Sequence, residues 1–358
     1  MSDPLPQGAT IGILGGGQLG RMLAMAAAKF GYRTMVLDPA ADSPAAQVAN
    51  EFVHAAYDNT PALRKLSERC DVITYEFENV PVATVASLSE QLPVFPPPEA
   101  LESAQDRLAE KIFLNSAGIS TAPFMSVDND DDLARGLARF SGGVLKTRRM
   151  GYDGKGQRVF RSADTTAHEG AFSQMGGVPL ILEALVPFRR EVSIIAARAA
   201  DGSIAVYDPA ENEHRDGVLY RSAVPANIET KTRTAVDQAA TDILTSLHYV
   251  GVLGVEFFVL DSGKVLVNEI APRVHNSGHW TEAACTVSQF EQHIRAVAGL
   301  PLGDTNRHSD CVMENLIGDE VLRAPDLLAE PDLMLHLYGK TDIRPGRKMG
   351  HFTRLTGN

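Results

Sequence analysis

The sequence predicts a multidomain α/β protein whose amino-terminal part is a parallel β-sheet wound with helices. Apolar runs of strand length alternate with helical segments over residues 9–78. This β-α-β alternation implies a parallel sheet. The chain has 358 residues, of which 44% are hydrophobic, which is too long for one simple core. We therefore expect two or three domains.

The first strand, residues 9–14 (ATIGIL), runs into a glycine cluster and a helix over 19–31; further strands are predicted at 32–38 and 70–78. Gly15, Gly17 and Gly20 fit the G-x-G-x-x-G pattern, and Asp38 ends the next strand where a ribose-binding acid belongs. Alone, this pattern predicts an NAD-binding oxidoreductase. Glycines before a helix N-terminus favour any phosphate-bearing ligand, however, and a turn without a ligand is the third interpretation.

The middle of the chain begins after a proline-rich stop at residues 93–101. We expect one helix over 103–118, then strand, glycine loop and strand over 142–160, and another strand over 178–186. A long helix is predicted for 231–250 and a hairpin for 254–270. Short strand-like pieces follow another boundary near residue 299.

Bulk composition excludes several classes of protein. The net charge of −12 and the absence of a basic run argue against general nucleic-acid binding. No apolar run approaches the ~20 residues of a membrane span. Cys70, Cys285 and Cys311 form no CxxC pair, so we expect neither zinc nor disulfides. The amino terminus lacks a signal-peptide pattern, and we expect a cytoplasmic protein.

Two glutamates are predicted to face one another in the hairpin. With Ser262-Gly263 at the turn and Asp261 opposite Lys264, Leu260 faces Val265, Phe258 faces Val267 and Glu256 faces Glu269. Opposed carboxylates repel unless one is protonated or a cation lies between them. Oxygen ligands suit Mg²⁺, whereas the alternative is a solvated edge. The apolar neighbours favour the metal.

A protein-bound Mg²⁺ usually has phosphate ligands as well, and a second glycine loop in the sequence can bind phosphates. Lys146 ends a strand ahead of Gly151, Gly154 and Gly156, and Arg107 lies on a nearby predicted helix. The spacing is not that of Walker A, and a hairpin tip is the alternative.

Several motifs in a fixed order resemble those of the ATP-grasp superfamily, and within it the N5-carboxyaminoimidazole ribonucleotide synthase family. They are GGGQLGRM (15–22), YEFENV (75–80), GYDGKGQ (151–157), ILEALV (181–186) and APRVHNSGHWT (271–281). The resemblance runs to RPGRKMGH (344–351), nearly the whole chain. It implies an amino-terminal pre-ATP-grasp domain (1–110), an ATP-grasp domain (111–298) and a small β-rich carboxyl-terminal domain (299–358). The ATP-grasp domain would have a small lobe at about 111–185 and a large lobe at about 186–298.

The resemblance also implies residue roles, with ATP between the two lobes and Mg²⁺ held by Glu256 and Glu269. The implied nucleotide contacts are Arg107, Lys146, Gly151, Tyr152, Asp153, Gly154, Lys155, Gly156, Gln157, Glu183, Ala184, Leu185, Val186, Glu191, His214, Asn268 and Glu269. The implied contacts to bicarbonate or the second substrate are Gln18, Leu19, Glu76, Arg273, His275, Asn276, Ser277, Lys340 and Arg347. The candidates for catalytic residues are Arg273, His275, Tyr152 and Asp153.

The implied activity is the ATP-dependent carboxylation of 5-aminoimidazole ribonucleotide by bicarbonate, in a homodimer. The nearest rival of the same fold is a formate-dependent glycinamide ribonucleotide formyltransferase, for which something close to R-P-H-D-T-G is expected in place of residues 273–278, R-V-H-N-S-G. The NAD oxidoreductase leaves the Glu256 and Glu269 pair unexplained. For several site residues a structural role is the alternative: His275 and His279 as turn caps, Trp280 as packing, and the basic residues of 340–348 as a solvated cluster.

Overall fold

The amino-terminal part is a four-stranded parallel sheet with strand order β3-β2-β1-β4. The computed structural model describes residues 3–151, 156–162 and 168–357. Met35 and Val36 contribute to different apolar cores, so the sheet is covered on both faces. The elements are β1 (Thr10–Leu14), α1 (Gln18–Lys29), β2 (Arg33–Asp38), β3 (Glu51–His54), α2 (Thr60–Arg69), β4 (Val72–Tyr75) and α3 (Val82–Ser89).

The predicted single helix over 103–118 is wrong, because the chain forms two helices, α4 (Pro98–Gln105) and α5 (Arg107–Ser116). Asp106 between them is extended, and its carboxylate accepts from the N–H groups of Leu108 at 3.0 Å and Ala109 at 3.3 Å. This N-cap starts a new helix. Arg107 is therefore the first residue of α5.

The next unit is a four-stranded antiparallel sheet with order β5-β8-β6-β7. Its elements are β5 (Phe124–Val127), α6 (Asp130–Phe140), β6 (Gly143–Thr147), β7 (Gln157–Phe160), α7 (Ala171–Gln174) and β8 (Leu180–Glu183). Helix α6 was not predicted, although its start is visible in the sequence: the Asn129 side chain accepts from Asp132 N–H, and three acidic residues fill the first turn. Leu133 and Leu137 of α6 pack on Leu145 and Leu182 of the sheet.

The remaining strands form one nine-stranded sheet with order β14-β13-β9-β11-β12-β15-β17-β16, and β10 pairs with β9. The strands at the carboxyl terminus of the chain belong to this same sheet, which they join through the antiparallel β12–β15 pair. The elements are β9 (Phe188–Arg198), β10 (Ile204–Val206), β11 (Ala210–Arg215), β12 (Val218–Val224), α8 (Thr230–Ser246), β13 (Gly251–Leu260), β14 (Val265–Ala271), α9 (Thr281–Ala284), α10 (Gln289–Val297), β15 (Asp310–Ile317), α11 (Ala324–Leu327), β16 (Leu333–Leu337) and β17 (Lys348–Gly357).

The β13–β14 hairpin pairs Glu256 with Glu269, as predicted, but by a different register near the turn. Leu260 N–H donates to the Lys264 carbonyl at 2.9 Å, which closes a three-residue loop with Gly263 at φ +77°. The predicted turn and its three pairs (Asp261–Lys264, Leu260–Val265 and Phe258–Val267) are therefore wrong: Phe258 faces Leu266, and Phe257 faces Val267. A β-bulge at Asn268 then restores the predicted register.

One buried histidine joins the parallel sheet to the large sheet. His293 of α10 lies between the hydroxyl of Thr74, 2.8 Å from its Nε2, and the N–H of Val252, 3.0 Å from its Nδ1. Burial lowers the pKa of His293 to about 3, so the ring is neutral. Within the part of the chain that the structure describes, no helix combines the length and the apolarity needed to cross a membrane.

Candidate active site

Two lysines share one buried carboxylate where the small-lobe sheet meets α5. Glu183 Oε2 lies 3.1 Å from Lys146 Nζ and 3.4 Å from Lys111 Nζ, and the Glu183 side chain is 4% exposed. Burial alone would raise the pKa of Glu183, but the two ammonium groups hold it below its usual range. Burial lowers the pKa of Lys146. This network orients Lys146. Sequence reasoning missed Lys111, because a lysine within a predicted helix gives no signal of a functional role.

Arg107 connects the small lobe to the acidic pair of the large sheet. Its guanidinium donates to Glu269 Oε2 at 2.9 Å and to the Gly151 carbonyl at 3.0 Å. The predicted neighbours Lys146, Arg107, Gly151 and Glu269 are thus brought together. The glycine loop itself, Tyr152, Asp153, Gly154 and Lys155, lies outside the described residues.

The loop re-enters the described chain at Gly156. Gly156 has φ +69°, and its carbonyl accepts from Thr147 N–H at 2.8 Å. A Cβ at Gly156 would lie 2.6 Å from the Thr147 hydroxyl, which explains why this position is occupied by glycine. Gln157 pairs with Lys146 as the first residue of β7.

The pKa values of the two paired glutamates are shifted in opposite directions. Burial and the facing Glu269 raise the pKa of Glu256 to about 7. Burial would also raise the pKa of Glu269, but Arg107 outweighs it and lowers that pKa. Without a cation, Glu256 is therefore the member of the pair that takes up a proton first as the pH falls.

The hairpin that carries this pair supplies oxygen ligands of the kind that a hard divalent cation binds. Asn268, the bulged residue, has a buried Oδ1 with no hydrogen-bond partner among the described residues, while its carbonyl accepts from Lys111 Nζ at 3.1 Å. Behind it, Glu110 accepts from Ile270 N–H, and burial raises the pKa of Glu110 to about 8. Two carboxylates and an unpartnered amide oxygen are ligands that Mg²⁺ accepts. Glu110 was missed because a single glutamate in a helix gives no signal.

A second group of side chains, of which Glu191 and His214 were predicted, lines the neighbouring strands. His214 Nδ1 lies 3.0 Å from Glu191 Oε2. Burial would lower the pKa of His214, but Glu191 and the nearby glutamates raise it. The rings of Phe188 and Phe258 stack with centroids 4.6 Å apart, and the Phe188 side of the stack is exposed. These four side chains form an edge that is polar at one end and apolar at the other.

The segment from Glu183 to Val186 links the small-lobe sheet to β9. Ala184 N–H donates to the Pro123 carbonyl at 2.8 Å, and the Val186 carbonyl accepts from Phe188 N–H at 2.9 Å. The Leu185 side chain is exposed. The N–H of Ala184 and the Glu183 side chain are thus engaged within the protein.

The turn after β14 holds His275 in a defined orientation. His275 Nδ1 accepts from Ser277 N–H at 3.3 Å and lies 2.8 Å from the Ser277 hydroxyl, while its Nε2 lies 3.5 Å from Glu256 Oε1. Burial and Arg273 lower the pKa of His275 to about 3. Because Nδ1 accepts a backbone N–H, the proton of the neutral ring lies on Nε2, towards Glu256. His275 therefore caps the turn and also faces the acidic pair.

Two amide side chains that sequence reasoning missed hold this turn in place. Gln289, fully buried, accepts from His275 N–H at 2.9 Å and donates to the His275 carbonyl at 2.7 Å. Asn315 of β15 exchanges two hydrogen bonds with Asn276, at 2.9 and 2.7 Å. Nothing in the local pattern around either amide signals these long-range contacts. Trp280 is packing, as its alternative interpretation held: it is 1% exposed and meets Tyr207 edge-on.

The amino-terminal glycine loop is occupied by the protein's own carboxylates. Gly16 N–H donates to Asp38 at 2.6 Å, and the N–H groups of Gly17 and Gly20 donate to Glu76 at 2.9 and 3.2 Å. Asp38 also accepts from Ala40 N–H and from the Tyr57 hydroxyl. Both oxygens of Asp38 are engaged, which removes the residue expected to read an NAD ribose.

Gln18 and Leu19 begin α1 directly after this loop. The Leu19 side chain lies in the core, so only its backbone faces the end of the helix. Burial raises the pKa of Glu76. Arg273 donates to Glu78 and to the carbonyl of Val274, and it contributes a positive field at Glu76. Glu78 was missed, although it lies in the same YEFENV stretch as Glu76.

The predicted basic residues near the carboxyl terminus differ in their surroundings. Lys340 Nζ donates to the Lys348 carbonyl at 2.7 Å, and Arg347 donates to the Asp342 carbonyl at 2.7 Å. The charge of Lys348 acts on both Glu256 and His275, whose pKa values it helps to lower. Lys348 is therefore a further candidate, which the sequence offered only as part of a charged run.

Comparison with known families identifies the class of protein. The ATP-grasp domain matches residues 112–290, the ribonucleotide synthetase preATP-grasp domain residues 8–105, and the phosphoribosylaminoimidazole carboxylase C-terminal domain residues 311–358. The fold and the site thus define an ATP-grasp ligase.

Full-length relatives narrow this class. A curated N5-carboxyaminoimidazole ribonucleotide synthase of Brucella melitensis is 59% identical over 352 residues, covering 98% of this chain and 97% of the relative. The synthetase of Staphylococcus aureus in complex with ADP has a TM-score of 0.94 at 40% identity, covering 99% and 95% of the two chains. The Aspergillus clavatus enzyme in complex with ADP and 5-aminoimidazole ribonucleotide has a TM-score of 0.91 at 29% identity, covering 98% and 94%. The chain belongs to the N5-carboxyaminoimidazole ribonucleotide synthase family.

Proposed function

We propose that this protein uses ATP to join bicarbonate to the exocyclic amine of 5-aminoimidazole ribonucleotide, giving N5-carboxyaminoimidazole ribonucleotide, ADP and phosphate. One observation carries the proposal: the opposed carboxylates of Glu256 and Glu269 lie beside the cations of Arg107 and Lys146, where the small-lobe sheet meets the nine-stranded sheet. Carboxylates that can hold a metal ion lie at one junction with cationic side chains that can bind phosphates, and this arrangement suits phosphoryl transfer.

ATP would lie across this junction. Lys146 and Arg107 would bind its phosphates, and the loop of residues 151–157 would cover them. The apolar edge formed by Phe188 and Phe258 offers a surface for adenine, next to the backbone of residues 183–186. Glu191 and His214, 3.0 Å apart, are placed to hydrogen-bond the ribose hydroxyls.

Magnesium would be held by Glu256, Glu269 and the unpartnered amide oxygen of Asn268. When bound, it would neutralise charge on the triphosphate and remove the repulsion between the two carboxylates.

The chemistry has two steps. A bicarbonate oxygen attacks the γ-phosphorus, the bond from phosphorus to the ADP oxygen breaks, and carboxyphosphate forms. The amine nitrogen then attacks the carboxyl carbon of carboxyphosphate, or CO₂ released from it, while phosphate leaves and the amine gives up a proton. Catalysis rests on positioning and on charge neutralisation. Exclusion of water protects carboxyphosphate.

The second substrate would meet the other side of the acidic pair. Arg273 supplies a fixed positive charge there, and His275 directs its Nε2 proton towards Glu256. The remaining proposed contacts are Gln18, Leu19, Glu76, Asn276, Ser277, Lys340 and Arg347. Since three glycine-loop N–H groups are already used by carboxylates, a substrate phosphate would be left with the N–H groups of Gln18 and Leu19. A homodimer and a cytoplasmic location belong to the same proposal.

The test is ADP release by the purified protein. Bicarbonate with 5-aminoimidazole ribonucleotide should give ATP-dependent turnover, and formate with glycinamide ribonucleotide should give none. The converse result would favour the formyltransferase. Binding of NADH without any binding of ATP would sink the proposal. A control for variants of the site residues is Arg215→Gln, which changes an exposed residue paired with Glu213. This variant should keep the full rate of ADP release.

A further inference from the structure

Three side chains with metal-ligating groups converge, and none of them is among the residues proposed to bind ATP. They are Glu282 of α9, His336 of β16 and His351 of β17, here called the carboxylate–imidazole cluster. The two histidines are direct cross-strand partners, with stacked rings 5.4 Å apart. Exposure of the three side chains is 18%, 10% and 2%, respectively. The cluster is thus enclosed between a helix and the final hairpin.

The spacing within the cluster is that of ligands around an ion. Glu282 Oε2 lies 3.4 Å from His336 Nδ1 and 3.6 Å from His351 Nε2. Both distances exceed the usual hydrogen-bond range of about 2.7–3.2 Å. The shorter distance matches the edge of a tetrahedron, about 3.3–3.4 Å, for metal–ligand bonds of about 2.0–2.1 Å, and the longer one exceeds that edge by about 0.2 Å. Glu282 Oε2 is buried and has no hydrogen-bond partner in the described part of the chain.

The surroundings also prepare the ligands. The Tyr338 hydroxyl lies 2.9 Å from His351 Nδ1, and Tyr338 is fully buried. This contact fixes the His351 ring with Nε2 towards Glu282, the kind of support that metal-bound histidines have.

We propose that the carboxylate–imidazole cluster binds one divalent transition-metal ion of the Zn²⁺ class, with water in the fourth position. Two imidazoles and one carboxylate select such ions over Mg²⁺, which prefers oxygen ligands. The ion would join α9, which follows the His275 turn, to the strand that begins with Lys348. It would therefore fix the second-substrate side of the active site. That consequence rests on the proposed function, whereas metal binding itself does not.

The test is a Co²⁺ titration of tag-free, chelator-treated protein in excess Mg²⁺ and ADP, which occupy the proposed nucleotide site. One equivalent of Co²⁺ should bind with the visible d–d absorption of a four-coordinate site, and Zn²⁺ should displace it. The isosteric Glu282→Gln variant and His336→Gln should lose this absorption. Tyr338→Phe should weaken Co²⁺ binding by roughly 10- to 100-fold through loss of the support for His351.

The His308→Gln variant is the matched control, because His308 is exposed and lies outside the cluster. It should bind Co²⁺ as the parent protein does. Zn²⁺ should raise the Tm of the parent and of this control, but not that of Glu282→Gln, which also shows whether each variant is folded. No saturable Co²⁺ binding, or equal binding by folded Glu282→Gln and the parent, would overturn the proposal and leave an ordinary glutamate–histidine ion network.

Discussion

Removing the charge of Glu183 tests the buried network that orients Lys146. In a Glu183→Gln variant the side chain keeps its shape and one acceptor oxygen, but the ammonium groups of Lys111 and Lys146 lose their shared counterion. Lys111 is 1% exposed and Lys146 is 13% exposed, so solvent replaces little of that interaction. The variant should be folded and markedly less stable.

The size of the effect follows from the two distances. At 3.1 and 3.4 Å, the gross attraction to each ammonium is about 5 kcal/mol for an effective dielectric constant of about 20. Most of it offsets the cost of burying the charges, and removing one partner of such a network typically costs about 3–5 kcal/mol. We expect a loss of free energy of unfolding in that range.

The assay is urea unfolding at pH 7, followed by far-UV circular dichroism. Its control is Glu213→Gln, which breaks a pair whose two side chains are 55% and 51% exposed and should leave the free energy of unfolding close to that of the parent. Because the pKa of Glu183 is lowered from 4.5, its stabilisation is present above about pH 4.5 and is lost as the pH falls further. The difference in free energy of unfolding between Glu183→Gln and the parent should therefore become smaller at acidic pH. A Glu183→Gln protein as stable as the control at pH 7 would refute the reasoning.

Three further outcomes are expected. Glu269→Gln should lower ADP release by at least roughly 100-fold in a protein that is still folded, since it removes a charge from the metal pair; a full rate would contradict that role. Arg347→Ala should mainly raise the KM for the ribonucleotide, and an unchanged KM would count against its assignment. Because the pKa of Glu110 is raised from 4.5 to about 8, the parent should lose stability, up to on the order of 5 kcal/mol, as the pH rises from 4.5 to 8. Glu110→Gln should flatten that decline in urea titrations, and an unchanged slope would show that Glu110 is not buried as a neutral acid.

The hairpin shows how far a local pattern reaches. Strand periodicity and the Ser262-Gly263 turn signal put Glu256 opposite Glu269, and the structure pairs them. The prediction holds only because two deviations cancel: a three-residue loop shifts the register by one, and the bulge at Asn268 shifts it back. Turn chemistry is local, whereas the bulge is accompanied by a contact between its carbonyl and Lys111, 157 residues away in sequence.

The sequence alone determined the first strand–helix–strand unit at the amino terminus, the acidic pair, and the family of the chain, because periodicity, turn residues and motif order lie within short segments. It did not predict β3, α2 or α3. Tertiary structure alone decided that Asp38 and Glu76 occupy the glycine-loop N–H groups, that Gln289 and Asn315 hold the His275 turn, and that the carboxyl-terminal strands extend the large sheet. These outcomes depend on which distant groups satisfy each buried donor and acceptor. No spacing along the chain encodes that choice, because it is made when the core closes.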